Sequence, residues 1–325
     1  MAPVLSVVAP IFNEADSIGP FLGRLLPVLD GLGESYEVIF VNDGSSDDSL
    51  QRLIERRKTQ PALRIIDLSR NFGKEAALTA GLDHARGQAI IPIDCDLQDP
   101  PELIPDLVRH WRAGAEIVRA HREERPGDGW TKRLSAAMFY RLHNKLTETP
   151  IPPNVGDFCL LDRRVVDALA GLRERKRFMK GLFAWVGFRQ ATVEYVREAR
   201  SQGTSKWRYW KLWNFALDGI TGFSTVPLRL WTYVGAIIAA AAFVYAMLTV
   251  LRVLAWGVDV PGYASLLTAV LFMGGVQLIT LGVIGEYIGR IYIEAKGRPL
   301  YLVRQLHESP ESPQPQARRR ELLDA

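Results

Sequence analysis

The segment Asp94-Cys95-Asp96-Leu97-Gln98-Asp99-Pro100-Pro101 is the part of this sequence best suited to chemistry, since it leaves an apolar run and enters a helical one. Two carboxylates one residue apart on extended backbone point to the same side. With the Gln98 carbonyl they offer hard oxygen donors suited to Mg²⁺ or Mn²⁺. A cation held there bridges the two phosphates of a nucleoside diphosphate and stabilises it as a leaving group. A second acidic turn, Val41-Asn-Asp-Gly-Ser-Ser-Asp47, also follows a β-branched run. Asp43 is placed to accept from a base or ribose, and Gly44 lets the backbone come close to a ligand; alone, the same residues are an ordinary Asp-Gly turn with a helix cap. A third polar group, Val8-Ala-Pro-Ile-Phe-Asn-Glu14, puts Pro10, Asn13 and Glu14 where a helix N-terminus favours an anion. Neither Gly-x-Gly-x-x-Gly nor a Walker A sequence occurs, which argues against a dinucleotide dehydrogenase or a P-loop NTPase.

The elements that must position these groups follow from periodicity. Short β-branched runs alternate with longer amphipathic ones over the first 120 residues, predicting βα units and a mainly parallel sheet in an α/β fold. Strands are expected at 5–9, 37–41, 63–68, 89–93 and 116–120, and helices near 15–29, 47–58, 74–85 and 101–111. Ser46 and Asp47 are expected to cap the second helix, and Pro101 to open the fourth. Ligands of open α/β sheets bind beyond the carboxyl ends of the strands, where the three polar groups gather. The chain has 325 residues, 40 Lys and Arg against 36 Asp and Glu, and a net charge of +4, too small an excess to predict a nucleic-acid partner. Cys95 and Cys159 are too few for a disulfide framework or zinc site and point to a reducing compartment. The five histidines show no metal spacing and are expected to be structural or exposed.

Residues 231–254, with only Arg252 charged, and 264–284, with no charge, are long enough to cross roughly 30 Å of hydrocarbon. Trp231, Tyr233, Trp256, Tyr263 and Tyr287 lie near their ends, as an aromatic belt would. The turn between them carries only Asp259. Lys206, Arg208, Lys211 and Arg229 precede the first span, and Arg290, Lys296, Arg298 and Arg304 follow the second, so both ends are predicted cytoplasmic. The first residues lack the basic start of a signal peptide, which predicts a chain beginning in the cytoplasm. Trp207, Trp210, Trp213 and Leu217 form a stripe read as an interfacial helix, or as a face packed on the soluble domain. Gly282, Gly285 and Gly289 suit close helix packing and a homo-oligomer. The expected division is a catalytic domain over 1–205, juxtamembrane helices over 206–229, two transmembrane helices over 230–293, and a cytoplasmic segment over 294–325 with a disordered tail.

Val8-Ala-Pro-Ile-Phe-Asn-Glu14, Asn42-Asp-Gly-Ser-Ser-Asp47, Arg70-Asn-Phe-Gly73, Asp94-Cys-Asp-Leu-Gln98, Gly156-Asp-Phe158 and the paired spans together resemble the polyprenyl-phosphate glycosyltransferases of glycosyltransferase family 2, bactoprenol glucosyltransferases and dolichyl-phosphate mannose synthases among them. The likeness runs from about residue 4 to about 304. It implies a GT-A (Rossmann-like) fold, a divalent metal, inversion at the anomeric carbon, and transfer of one hexose, glucose favoured, from a UDP- or GDP-sugar to undecaprenyl phosphate at a bacterial inner membrane. It also implies a flippase partner for the lipid-linked product. Carried over residue by residue, it makes Asp94, Asp96 and Gln98 the metal and diphosphate group, with Pro10, Asn13, Glu14, Asp43 and Gly44 around the nucleotide. Asp157 matches the residue often proposed as catalytic base, and Asp96 is grouped with it as catalytic. A phosphate monoester with a second pKa of about 6 needs little deprotonation at neutral pH, so Asp157 is read equally as orienting the acceptor. Arg122, Lys132, Arg133, Ser135 and Arg200 are assigned to the acceptor phosphate. Cys95 stands where the family usually has alanine and would put an oxidisable thiol beside the metal. Two rivals are a processive polysaccharide synthase, whose Gln-x-x-Arg-Trp motif is absent, and a non-catalytic adaptor binding nucleotide-sugar.

Overall fold

A computed structural model describes residues 2–122, 155–195 except 173 and 176, 226–256 and 262–308. Strands β1 (Leu5–Ile11), β2 (Tyr36–Asn42), β3 (Leu63–Leu68) and β4 (Ala89–Pro92) alternate with helices α1 (Ala15–Gly31), α2 (Ser49–Thr59) and α3 (Lys74–His84). A 3₁₀ turn at Pro101–Leu103 leads into α4 (Ile104–Arg112), followed by β5 (Ile117–Arg122). Then come β6 (Val155–Asp162), α5 (Arg163–Gly171), α6 (Met179–Trp185), β7 (Gln190–Tyr195), the long helices α7 (Val226–Trp256) and α8 (Tyr263–Ala295), and β8 (Val303–His307).

The eight strands form one sheet in the order β7-β5-β6-β4-β1-β2-β3-β8. The β4-β1-β2-β3 centre is parallel, as the βα alternation predicts, and its strands are buried on both faces and mainly apolar, with buried polar exceptions such as Ser6, Glu37, Arg64 and Asp67. β6 runs antiparallel to both β4 and β5, and β8 antiparallel to β3, so two reversed strands join a sheet that is otherwise parallel, as expected for the first 120 residues. One face packs on α1, α2 and α4 through residues such as Phe21, Leu25, Leu53 and Leu107. The other packs on α3, α5 and α6 through Leu78, Val165, Met179 and Phe183. α3 lies so close to β1 that a Cβ on Gly81 would sit 2.2 Å from Val8 Cγ1.

This topology sets the site. β1 and β4 are adjacent, yet the chain leaves β1 toward β2 and reaches β4 only after β3, which makes the gap beyond their carboxyl ends the switch point of the sheet. Because β6 is antiparallel to β4, its amino end lies at that same edge, and Asp157 comes with it.

Helices α7 and α8 have 31 and 33 residues. Among the described residues one stretch, Phe272–Ala295, is long and apolar enough to cross a membrane, and none of its apolar window is buried. It extends further toward the C-terminus than the expected 264–284 and takes in Glu286 and Arg290, which pair at 3.1 Å one turn apart. In α7, Tyr233–Tyr245 is apolar but shorter. The Trp stripe at 207–217 and the tail from 309 lie outside the described residues.

β8 was not anticipated from the sequence. After α8 the chain rejoins the catalytic sheet: Leu302 O accepts from Ser69 N, Arg304 reaches Asp67 at 3.5 Å, and the Tyr301 hydroxyl donates to Asp83 at 2.8 Å. Glu308 completes a buried charge cluster with Arg64, Arg86 and Glu37.

Candidate active site

From Asp94 to Gln98 burial alternates strictly: Cys95 and Leu97 are buried and Asp94, Asp96 and Gln98 are partly exposed. The two apolar side chains join the core around α1 and α4, so anchoring them turns the polar ones outward together. Leu97 has a φ of +59°, rare for a residue with a branched side chain, and Asp96 Oδ1 accepts from Gln98 N at 3.0 Å. The segment is thus a tight turn held by the Asp96 carboxylate. The Cys95 thiol is buried in the core, as a small buried side chain; burial first, then the charges of Glu14, Asp94 and Asp96, push its pKa well above the thiol range, which disfavours oxidation beside the site.

The first two polar turns are tied together. Asn13, at a φ of +54°, takes a bond from its own N–H to Ser45 Oγ (3.0 Å), and its Oδ1 accepts from Ser46 N (2.8 Å). Glu14 N donates to Ser49 Oγ, and Glu14 Oε2 accepts from Ser17 Oγ, both at 3.0 Å. Asp47, expected as a cap of α2, instead accepts from Ala15 N and Ser49 N, and so also clasps α1. Asp43 is buried, and its two oxygens accept from Phe72 N (2.7 Å) and Gly73 N (2.9 Å). Burial raises its pKa despite those two amides and the nearby Arg70 charge. Asp43 therefore shapes the site by fixing the Arg70-Asn-Phe-Gly73 loop. Gly44 completes the contact at a φ of +65°, where a Cβ would lie 2.5 Å from Arg70 C and 2.6 Å from Asn71 N. Gly44→Ala is expected to push the two loops apart, costing about 1–3 kcal/mol and raising KM for the donor by about tenfold. Thermal melts and steady-state kinetics check this, and an unchanged KM would separate the turn from donor binding.

The residue the sequence reading missed is Lys74, first in α3. Its Nζ lies 2.7 Å from Asp94 Oδ2 and 2.7 Å from Asp157 Oδ2, joining the edge of β4 to that of β6. Desolvation opposes its charge, but the Asp94 and Asp157 carboxylates outweigh it and hold the Lys74 pKa well above the lysine range. A signal was present in the sequence: a cation at the first helical position runs against the helix dipole and needs an outside reason. Glu75, also missed, accepts from Met179 N at 3.2 Å. Burial first, then the Asp157 charge, push Glu75 from 4.5 up to about 7 against the pull of Lys74.

A carboxyl whose native pKa is raised contributes stability that is fully present below its unfolded value and is lost as pH rises through the native one. For Glu75 that window runs from 4.5 to about 7. Glu75→Gln is therefore expected to match the wild-type melting temperature below this window and to exceed it above. A difference that stays flat with pH would contradict the assigned environment.

Asp94, Asp96, Gln98, Asn13, Glu14, Asp43 and Gly44 thus lie beyond the strand ends at one sheet edge, with Pro10 near the end of β1 and Asp157 joined to them through Lys74. Arg122 closes β5 at the same edge, opposite Tyr195. Lys132, Arg133, Ser135 and Arg200 lie outside the described residues. The donor set fits a hard divalent cation: two outward carboxylates share one turn, and Asp94 already holds a cation in the form of the Lys74 ammonium. Among the described residues no three His, Cys, Asp or Glu side chains form a closed cage. That suits Mg²⁺-type sites, which use one or two carboxylates and leave the remaining positions to substrate phosphates and water.

The sheet, with acidic turns at its switch point, is a GT-A Rossmann-like fold, the fold of a glycosyltransferase. The chain belongs to glycosyltransferase family 2, whose model matches residues 6–170, and residues 226–291 match the GtrB C-terminal hairpin. It is 58% identical to a glycosyltransferase of Synechocystis sp. over 93% of this chain and 95% of that one. It is 49% identical to the SfII prophage-derived bactoprenol glucosyl transferase of Shigella flexneri, over 93% of this chain and 98% of the relative. The mannosyltransferase of Pyrobaculum calidifontis, solved with GDP-Man and Mn²⁺, superposes with a TM-score of 0.45 at 18% identity over 91% of this chain and 87% of that one.

Proposed function

We propose that this glycosyltransferase moves one hexose, glucose favoured, from a UDP- or GDP-sugar to undecaprenyl phosphate with inversion. The observation that carries the reading is the convergence of Asp94 and Asp157 on one ammonium. It puts the carboxylate assigned to the donor diphosphate beside the one assigned to the acceptor, in a chain 49% identical to a bactoprenol glucosyl transferase. A lipid-phosphate oxygen forms the new bond to the anomeric carbon while the bond to the nucleoside diphosphate breaks on the opposite face. Asp94, Asp96 and Gln98 would hold Mg²⁺ or Mn²⁺, which when bound neutralises the departing diphosphate. Glu14, Asn13 and the Asp43-Gly44 turn form the nucleotide side. Asp157 orients the acceptor phosphate, which is already largely ionised at neutral pH. Arg122 with Lys132, Arg133, Ser135 and Arg200 supplies the cations that phosphate needs.

Connectivity supports the membrane arrangement. β7 precedes α7 and β8 follows α8 in one sheet, so the chain leaves and returns on the same side. That supports an even number of crossings, which we assign as two, one each to α7 and α8, with the catalytic domain and both termini cytoplasmic.

Membranes containing the protein, incubated with labelled nucleotide-sugars, polyprenyl phosphate and Mg²⁺ or Mn²⁺, should yield a lipid-linked sugar with one preferred donor. Absence of product with every donor, or formation indifferent to EDTA, would sink the mechanism.

A further inference from the structure

Lys74 stands at the amino end of α3, where the peptide dipoles disfavour a cation, and its ammonium contacts the carboxylates of two different strands. A pair made only for stability would not need an interior edge with Glu75, Asp94 and Asp157 crowded around one cation. Without the ammonium, Asp94 and Asp157 would repel across the gap between β4 and β6. The Lys74 side chain nevertheless keeps 42% of its surface exposed, so it has room to move.

We propose that Lys74 is a positioning residue that competes with the divalent cation for Asp94 Oδ2 and so links loading of the donor side to the acceptor-side carboxylate Asp157. The inference rests on the reading of Asp94 as a metal ligand. In the unloaded protein one ammonium pairs with both carboxylates and bridges the two strand edges. When a cation takes Asp94, the ammonium is left to Asp157 alone. Asp157 then exchanges a shared partner for an undivided one at the moment the donor arrives, and its carboxylate is steadied for the acceptor.

The test uses the full-length protein in detergent, without nucleotide, titrated with Mn²⁺ alone while the free aquo ion is followed by electron paramagnetic resonance. Lys74→Met, of similar length but uncharged, is expected to bind Mn²⁺ about three- to tenfold more tightly, because a competing partly exposed ion pair has been removed. Lys74→Arg, which keeps the charge, should bind as the wild type does. A gain of affinity is an outcome that a damaged fold does not produce. With donor and acceptor saturating, Lys74→Met should also lose at least about tenfold in kcat, with a smaller change in the donor KM. Unchanged or weaker Mn²⁺ binding by Lys74→Met overturns the proposal, as does an unchanged kcat. Sugar transfer is scored separately: a wild type with no transfer activity counts against the proposed function, and the Mn²⁺ titration still decides whether Lys74 competes.

Discussion

Asp96→Asn is expected to lower kcat for sugar transfer on the order of 1,000-fold, with the fold intact. Removing one preorganised electrostatic contact to the charge that develops in a transition state costs about 2.7–4 kcal/mol, and a ligand to the ion that carries that charge belongs to the same class. Asparagine is the informative replacement because Asp96 Oδ1 also accepts the Gln98 amide and closes the turn. An Asn oxygen can make that bond, so the variant removes the charge and leaves the turn around Leu97. Asp96→Ala removes both and should melt lower as well. Single-turnover rates at saturating Mg²⁺ or Mn²⁺, read beside the melting temperature, separate the two effects. If Asp96→Asn kept more than about a tenth of wild-type kcat, Asp96 would not be a ligand to the ion that balances the leaving group.

The second large effect lies at the other edge of the sheet. Arg64 Nη1 is 2.6 Å from Glu37 Oε2, and Nη2 pairs with Glu308, with the Arg64 and Glu37 side chains each 7% exposed and that of Glu308 14%. Glu37 also accepts from Ser6 Oγ and from Arg86 N (2.7 Å), and Arg86 Nη2 meets Glu308 Oε2 at 2.7 Å. Arg64→Met leaves two buried carboxylates with only Arg86 between them. Breaking a buried pair by deleting one partner costs about 3–5 kcal/mol, which for a domain of this size lowers the melting temperature on the order of 10 °C. Glu308→Gln is the milder control, because Arg64 keeps Glu37, and should cost about 1–2 kcal/mol. The same cluster fastens the segment after α8 to β2 and β3, so Arg64→Met should also expose residues 303–308 to protease and hydrogen exchange before the rest of the sheet. A melting temperature within about 2 °C of wild type would show the cluster to be dispensable.

How much could be read in advance differed by element, for local reasons. β1 to β5 and α1 to α4 fall within a few residues of their expected positions, because buried parallel strands read as β-branched runs and amphipathic helices carry a 3.6-residue period. β7 and β8 escaped notice. Gln190-Ala-Thr-Val-Glu-Tyr195 and Val303-Arg-Gln-Leu-His307 are edge strands with exposed polar faces, and their composition resembles that of loops. The acidic turn was legible from two carboxylates one residue apart, and both are partly exposed; what places them there is a tight turn at Cys95–Leu97, where extended backbone was expected. Lys74 was not legible as part of the site, because its partners lie 20 and 83 residues away in sequence.

The sequence by itself determined the α/β class, the acidic turns beyond β1, β2 and β4, the long apolar hairpin and, through combined motifs, the family. These are properties of neighbours along the chain, where spacing alone decides which side chains share a face. Only the tertiary structure decided that β6 runs antiparallel beside β4 and brings Asp157 to the edge that carries Asp94, that Lys74 joins the two, and that the chain returns after α8 to pair with β3. Pairings between distant segments depend on which edges remain open once the central strands have formed. They also depend on which charges find partners at those edges, and neither is encoded in any one segment.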